Sequence, residues 1–81
     1  MKPGQQVEAT IDYDLFGTNI KGLPGVYIKK MTSNNKVMVY YRCNGEWAEI
    51  PEESLIRTGR VTKENRLLLE RIQEMKVTFP T

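Results

Sequence analysis

Few side chains in this 81-residue chain have the chemistry of a catalytic or metal-binding group. Asp12 and Asp14 are a carboxylate pair whose spacing directs both side chains to one side of an extended strand. Such a pair can bind a cation or transfer protons, but no third ligand lies nearby in the sequence, so we interpret both as turn residues. Cys43 is the single cysteine, and we expect it on the core side of a strand, with Arg42 pointing to the opposite face.

The composition excludes most catalytic classes. The chain has no histidine, which excludes a Ser-His-Asp triad and histidine metal ligands, and one cysteine excludes an internal disulfide. The 12 Lys and Arg residues against 10 Asp and Glu give a net charge of +2. No apolar run approaches the roughly 18 residues of a membrane span, and no hydrophobic stretch follows Met1 as in a signal peptide. We therefore predict a cytoplasmic protein that is not an enzyme, holds no metal or cofactor and contacts no membrane.

The elements that must position these residues are predicted mainly as strands. Alternating apolar residues and turn residues divide residues 1–59 into short strands, with a long loop after the first. We expect strands at Gln5–Ile11, Val26–Met31, Lys36–Cys43, Glu46–Ile50 and Leu55–Arg57, a loop at Asp12–Gly22, and a 3₁₀ turn at Pro51–Ser54. Three apolar residues of the loop are expected to fold back over one end of the core: Leu15, Phe16 and Ile20. The pattern is typical of a mostly β fold, a five-stranded antiparallel SH3-like barrel.

Residues 60–81 change character and predict a C-terminal amphipathic α-helix followed by a tail. Thr62 is a suitable N-cap, and four apolar residues then share one helix face: Leu68, Leu69, Ile72 and Met75. A helix of this length is marginal alone in water, so we expect it to pack on the barrel or on a partner. An oligomer in which such helix faces pair is a further alternative.

Asn44 and Gly45 lie between two apolar runs and predict a hairpin with a two-residue type I′ turn. That register sets Arg42 opposite Trp47 and separates two faces of the paired strands. The natural core face holds Val37, Val39, Tyr41, Ala48 and Ile50. The second face holds Met38, Tyr40, Arg42, Trp47 and Glu49.

The second face carries large residues that a bare barrel would expose to water. Trp, Tyr and Arg are frequent in interface hot spots, which favours a surface that binds another protein. The candidate contact residues are Met38, Tyr40, Arg42, Trp47, Leu68, Ile72 and Met75. In the alternative, the C-terminal helix lies on this face, and Met38, Tyr40 and Trp47 form a second small core.

A second functional hypothesis rests on the lysines. Lys21, Lys29, Lys30 and Lys36 would contact phosphates in a nucleic-acid-binding barrel of the KOW or Tudor-like kind, with exposed aromatic residues stacking on bases. Dedicated nucleic-acid binders usually show a basic stripe, whereas here the net charge is +2 and the charges alternate in blocks. The same lysines also suit a solvated strand end and turn, so nucleic acid ranks behind a protein partner.

Four pieces of the chain follow one another in an order found in a known group of small barrels. They are residues 2–7 (KPGQQV), 20–26 (IKGLPGV), 37–40 (VMVY) and 51–55 (PEESL). Over residues 1–57 this order resembles SH3-like barrels of the photosynthetic electron-transport accessory group, nearest the variable (alpha) chain of ferredoxin–thioredoxin reductase. The resemblance implies a non-catalytic accessory subunit that stabilises or docks a redox enzyme subunit, in the plastid stroma or the cytoplasm. It carries over no catalytic residue and no cofactor.

Overall fold

A computed structural model describes residues 2–32 and 34–74 of the chain. Its elements are β1 Gln5–Ala9, β2 Asp14–Leu15, β3 Thr18–Asn19, β4 Gly25–Lys30, β5 Lys36–Tyr41, β6 Glu46–Pro51, a 3₁₀ turn Glu52–Ser54, β7 Leu55–Val61 and α1 Lys63–Glu74. The prediction of a mostly β fold with one C-terminal helix is confirmed. No helix in these described ranges is long and apolar enough to cross a membrane.

Five strands form one antiparallel sheet in the order β6-β5-β4-β1-β7, and β2 and β3 form a separate hairpin. The outermost strands, β6 and β7, do not pair with each other, so the sheet is open between them and the predicted closure into a barrel is not confirmed. Strand β7 is longer than expected, because Thr58 and Gly59 continue it to Val61. They lie in a bulge opposite β1, where Val7 pairs with Arg57 but Gln5 pairs with Val61.

The hairpin between β5 and β6 has a different register from the predicted one. Tyr40 lies opposite Trp47, so the expected pairing of Arg42 with Trp47 is wrong. The connection is a four-residue turn closed by a hydrogen bond from Gly45 N to Tyr41 O of 2.9 Å. Gly45 has a left-handed φ of 69°, whereas Asn44 does not, and a type I′ turn needs both. The pairing is shifted by two residues, and an even shift leaves the side chains of the residues that stay paired on their predicted faces. Cys43 falls in the turn and is exposed, so its expected place on the core side of a strand is wrong.

The predicted core face is confirmed as part of the larger of two apolar clusters. This first cluster contains Val7, Ala9, Leu15, Ile20, Tyr27, Val37, Val39, Tyr41, Ala48, Ile50 and Leu55. Leu15 and Ile20 of the long loop fold back onto it as expected. Phe16 does not, because it occupies the tip of the β2–β3 hairpin and leaves 81% of its surface exposed.

The opposite face of the sheet is covered by α1. A second cluster joins Val26, Ile28, Met31 and Met38 of the sheet side to Ile72 of the helix. Tyr40, Trp47, Leu68 and Leu69 are partly buried against it. The helix therefore packs on the sheet of its own chain, through the apolar stripe that the sequence indicates. Met75, the last residue of that stripe, lies outside the described residues.

Gly25 is required by close packing at the start of β4. A Cβ atom there would lie 2.5 Å from Val39 Cγ1 and 2.9 Å from Tyr41 Cε1, and both of those residues are completely buried. We expect Gly25→Ala to lower the free energy of unfolding by about 1–3 kcal/mol, as overpacking usually does. Urea denaturation measures the loss. In a Val39→Ala background the same substitution should cost less, since the nearest clashing methyl group is gone; equal costs would contradict this explanation.

Tyr41 places a hydroxyl group in the first cluster. The side chain is fully buried, and its oxygen has no hydrogen-bond partner among the described residues. Burial, with a smaller contribution from Cys43, raises the pKa of Tyr41 from 10.0 to about 12. The folded state therefore resists ionisation, and its stability is complete below pH 10 and falls as the pH rises from about 10 towards 12.

We expect this single group to remove about 2–3 kcal/mol of stability by pH 12. Tyr41→Phe should remove that part of the pH dependence. At neutral pH it should leave stability unchanged or raise it by up to about 1 kcal/mol, since no hydrogen bond is lost. Urea unfolding of the wild type and of Tyr41→Phe, from about pH 8 to about pH 12, measures how the free energy of unfolding of each changes with pH. Parallel curves for the two proteins would contradict the assignment.

Candidate protein-binding surface

The turn between β5 and β6, residues 42–45, connects the helix to the β2–β3 hairpin. Arg42 Nη2 donates a hydrogen bond to Asn65 Oδ1 of α1 at 3.0 Å. Asn44 Nδ2 donates to the Leu15 carbonyl oxygen of β2 at 3.2 Å, and Asn44 Oδ1 accepts from Glu46 N at 3.1 Å. The turn is thus held on both sides, and its exposed residues have defined positions.

Asn65 is the buried polar residue that orients Arg42. Only 8% of Asn65 is exposed, and its Nδ2 donates to the Gly4 carbonyl oxygen at 2.7 Å. Its backbone N–H donates to Thr62 Oγ1 at 3.1 Å, which confirms Thr62 as the N-cap of α1. Asn65 therefore ties the N-terminal segment, the helix start and Arg42 together. In the sequence, Asn65 is one polar residue of an amphipathic helix, and nothing there indicates that it joins these three segments.

Arg42 lies between two depressions in the surface. One is a cleft of about 300 Å³ between the start of β4 and the start of α1, and its apolar lining includes Leu23, Pro24 and Val26. The other, of about 180 Å³, lies along the helix and is lined by Arg42, Glu64, Leu67, Leu68 and Arg71. We call these two depressions with Arg42 between them the Arg42 face. It combines an oriented cation with apolar side chains and with the Glu64 carboxylate, which lines both depressions. Such a mixture of apolar and charged groups is common in protein-binding surfaces.

Phe16 projects from the tip of the β2–β3 hairpin. Leu15 pairs with Thr18, and the two residues between them, Phe16 and Gly17, both have left-handed φ angles of 49° and 89°. Such a two-residue turn favours Asn-Gly, and a bulky residue in this conformation costs about 1–2 kcal/mol. The Phe16 ring recovers little of that cost by packing, since it is 81% exposed. The sequence indicates Gly17 as a turn residue of the long loop, but the two short strands that flank it were not predicted.

The base of the hairpin is held by Asn19 and Asp12. Asn19 Oδ1 accepts hydrogen bonds from Tyr13 N at 3.3 Å and from Lys21 N at 3.1 Å, and Asn19 Nδ2 donates to Asp12 Oδ1 at 3.0 Å. Asp12 thus acts within its own loop, in keeping with its interpretation as a turn residue. Asp14 is exposed on β2. No group of three or more potential metal ligands occurs within residues 2–32 and 34–74.

The structure separates the seven residues expected to bind a partner. Met38 and Ile72 are buried in the second cluster, with 0% and 5% of their surfaces exposed. Tyr40, Trp47 and Leu68 are half-buried around it. Arg42 is exposed in the turn, beyond the end of β5, and Met75 lies outside the described residues. The helix therefore covers the centre of the expected patch, and the part that stays accessible is at Arg42.

The lysines of the nucleic-acid hypothesis lie at two places. Lys29, Lys30 and Lys36 lie where β4 and β5 approach their connecting turn. Lys21 precedes β4 and forms an isolated bridge with Ala9. Lys30 Nζ pairs with Glu52 Oε2 at 3.3 Å, so one of these cations already has a carboxylate partner.

Neither the family models, nor the curated proteins, nor the solved structures compared with this chain give a match.

The exposed ring and strained turn at Phe16 predict that this residue lowers stability. We expect Phe16→Asn to raise the free energy of unfolding by about 0.5–1 kcal/mol, because asparagine accepts the left-handed conformation. Thermal and urea unfolding measure the change. Ile56→Asn is the matched control, since Ile56 is also exposed, at 50%, but lies in the regular strand β7. It should give no gain. A loss of stability in Phe16→Asn would mean that the ring contributes packing.

Proposed function

We propose that this chain is a small non-catalytic SH3-like protein that binds another protein as an accessory or regulatory subunit. Phe16 and Arg42 are the proposed contact residues. The observation that carries the proposal is Phe16: a strained, 81% exposed aromatic residue at the tip of a hairpin that hydrogen bonds hold in place. Its ring contributes little to packing within the described part of the chain, and a protein partner would give it a function.

The SH3-like part of the proposal is supported by strand order and connections. The sheet runs β6-β5-β4-β1-β7, a long connection containing a hairpin follows β1, and a 3₁₀ turn precedes the last strand. The sequence predicts the long connection after the first strand and the 3₁₀ turn before the last, whereas the strand order and the hairpin are observed in the structure. By the resemblance to the variable chain of ferredoxin–thioredoxin reductase, the proposed partner is a redox enzyme subunit. That identity depends on the resemblance alone and is separate from the choice of surface.

Energetics favour Phe16 and Arg42 as anchors. A residue already fixed in its bound conformation loses little entropy on association, and the Leu15–Asn44 hydrogen bond links the hairpin to the turn. Aromatic residues and arginine are also the residues on which interface affinity most often depends. Asn65 accepts a hydrogen bond from the Arg42 guanidinium, which lines both depressions of the Arg42 face. Phe16 and Arg42 are therefore connected through one four-residue turn.

Affinity capture from a lysate of the source cells tests the proposal. Tagged wild-type protein, Phe16→Asn and Arg42→Gln are compared, each with and without nuclease, and recovered proteins are quantified by mass spectrometry. We expect a stoichiometric protein that resists nuclease and whose recovery falls at least about tenfold with either variant.

Ile56→Asn is again the matched control and should recover the partner as wild type does. Equal recovery by Phe16→Asn and wild type would make the proposed surface wrong. Ribosomal or nucleoid proteins that disappear with nuclease would favour the nucleic-acid-binding alternative instead. A ferredoxin-linked enzyme among the lost proteins would support the resemblance.

A further inference from the structure

A second surface, at the β1–β7 end of the sheet, gathers three cations in one cleft. Lys2, Arg57 and Arg60 line a depression of about 380 Å³, together with Gln5 and Val61. We propose that this cleft is a binding site for the phosphate groups of a phosphorylated ligand. The inference goes beyond the proposed function, since none of these residues belongs to the Arg42 face or to the hairpin.

The bulge in β7 explains how the two arginines meet. In a regular strand, residues three apart point to opposite faces of the sheet. Between the pairs Val7–Arg57 and Gln5–Val61, β7 has three residues and β1 has one, so Arg60 lies inside the bulge, where the regular alternation of a paired strand does not apply. Arg57 and Arg60 consequently line the same cleft. Bulges that redirect side chains are frequent at sheet edges and beside functional sites, and β7 is an edge strand.

Side chains of β1 hold the bulge in place. Gln5 Nε2 donates to the Gly59 carbonyl oxygen at 3.1 Å, and Gln6 Nε2 donates to Thr58 Oγ1 at 3.3 Å. Gln5 Oε1 also accepts a hydrogen bond from Lys2 N at 3.2 Å, which fixes the segment that carries the third cation. The cleft is therefore formed before any ligand binds. The backbone that carries Arg57 and Arg60 is already ordered, so binding a ligand does not cost that entropy.

The three cations are not neutralised within the described part of the chain. The ion pair found there joins Lys30 to Glu52, near Lys29 and Lys36. No ion pair in the described residues involves Lys2, Arg57 or Arg60. All three residues are exposed. Two more cations, Lys63 and Arg66, follow in the first turn of α1, against one carboxylate, Glu64. Bringing like charges together without counterions is unfavourable, and an anion in the cleft would relieve the repulsion.

The chemistry of the cleft suits phosphate better than carboxylate side chains of a protein. Arginine presents a planar fork of donors that binds phosphate oxygens in pairs, and lysine adds a point charge. Three cations around one small volume match a multiply charged, compact anion. The carboxylates of an acidic peptide would be spread along its chain. The phosphate can belong to a free phosphorylated compound or to a nucleic-acid strand, which share this chemistry.

Titration of the ¹⁵N-labelled full chain with inorganic pyrophosphate at low ionic strength tests the site. We expect saturable NMR shifts confined to the Lys2–Gln5 and Arg57–Val61 segments. Arg57→Gln and Arg60→Gln should each weaken binding about tenfold. Lys36→Gln removes the same charge from the other end of the sheet and should change the affinity by less than about twofold. The spectrum of each variant shows that it is folded, and Lys2→Gln provides a third test outside the strand.

A short oligothymidylate and an oligoglutamate peptide distinguish the sources of the anion. Tighter binding of the oligothymidylate than of pyrophosphate, with a steep loss in salt, would assign the site to a nucleic-acid strand. Binding no tighter than pyrophosphate would assign it to a free phosphorylated compound. Tighter binding of oligoglutamate, equal losses in Lys36→Gln and Arg57→Gln, or the absence of saturable binding would overturn the proposal. The cations would then serve only to keep the edge strand from pairing.

Discussion

Strand β5 is buried on both faces, and most of the remaining structure covers it. Val37, Val39 and Tyr41 lie in the first apolar cluster, while Met38, between them in sequence, lies in the second. Antiparallel sheets commonly leave one face in water, so a strand with apolar residues at successive positions needs a covering layer on each side. On the first-cluster side, β5 packs with residues of β1, β7 and the β2–β3 hairpin, and on the second-cluster side it packs with α1. Without the helix, the second cluster would be an open apolar surface, which explains why a chain this small includes residues 63–74.

Covering both faces also determines which residues remain available for a partner. The helix lies over Met38, so the face that looked like a recognition patch in the sequence becomes mainly interior. Arg42 stays exposed because the four-residue turn begins at this residue, beyond the end of β5. Asn65 then orients Arg42 from the helix, and Asn44 connects the same turn to the hairpin that carries Phe16. The accessible surface is therefore formed by the connections between layers instead of by the sheet itself.

The sequence predicts what depends on periodicity and fails where long-range contacts decide. Alternation in residues 37–50 assigned the buried face correctly even though the register was displaced, because a shift of two residues preserves alternation. The four-residue turn is held by a hydrogen bond from Asn44 to Leu15, 29 residues away, and a local Asn-Gly pattern contains no information about that bond. The cleft at Arg57 depends in the same way on a bulge held by Gln5 across the strand pair. Helix and strand types were therefore predictable, whereas the two candidate surfaces were not.

Each candidate surface contains a feature that is locally unfavourable and that folding does not require. Left-handed backbone at Asn35 and Gly45 uses residue types that accept it, so those turns need no further explanation. Phe16 adopts the same conformation with a poorly suited residue and exposes its ring. At the β7 edge, Arg57 and Arg60 converge without a counterion in the described residues, although one charge would suffice to discourage strand pairing. A stability-optimised sequence would remove both features, and natural proteins tend to keep such features at functional sites. That reasoning supports both proposals, the protein-binding surface at Phe16 and Arg42 and the phosphate-binding cleft at Arg57 and Arg60.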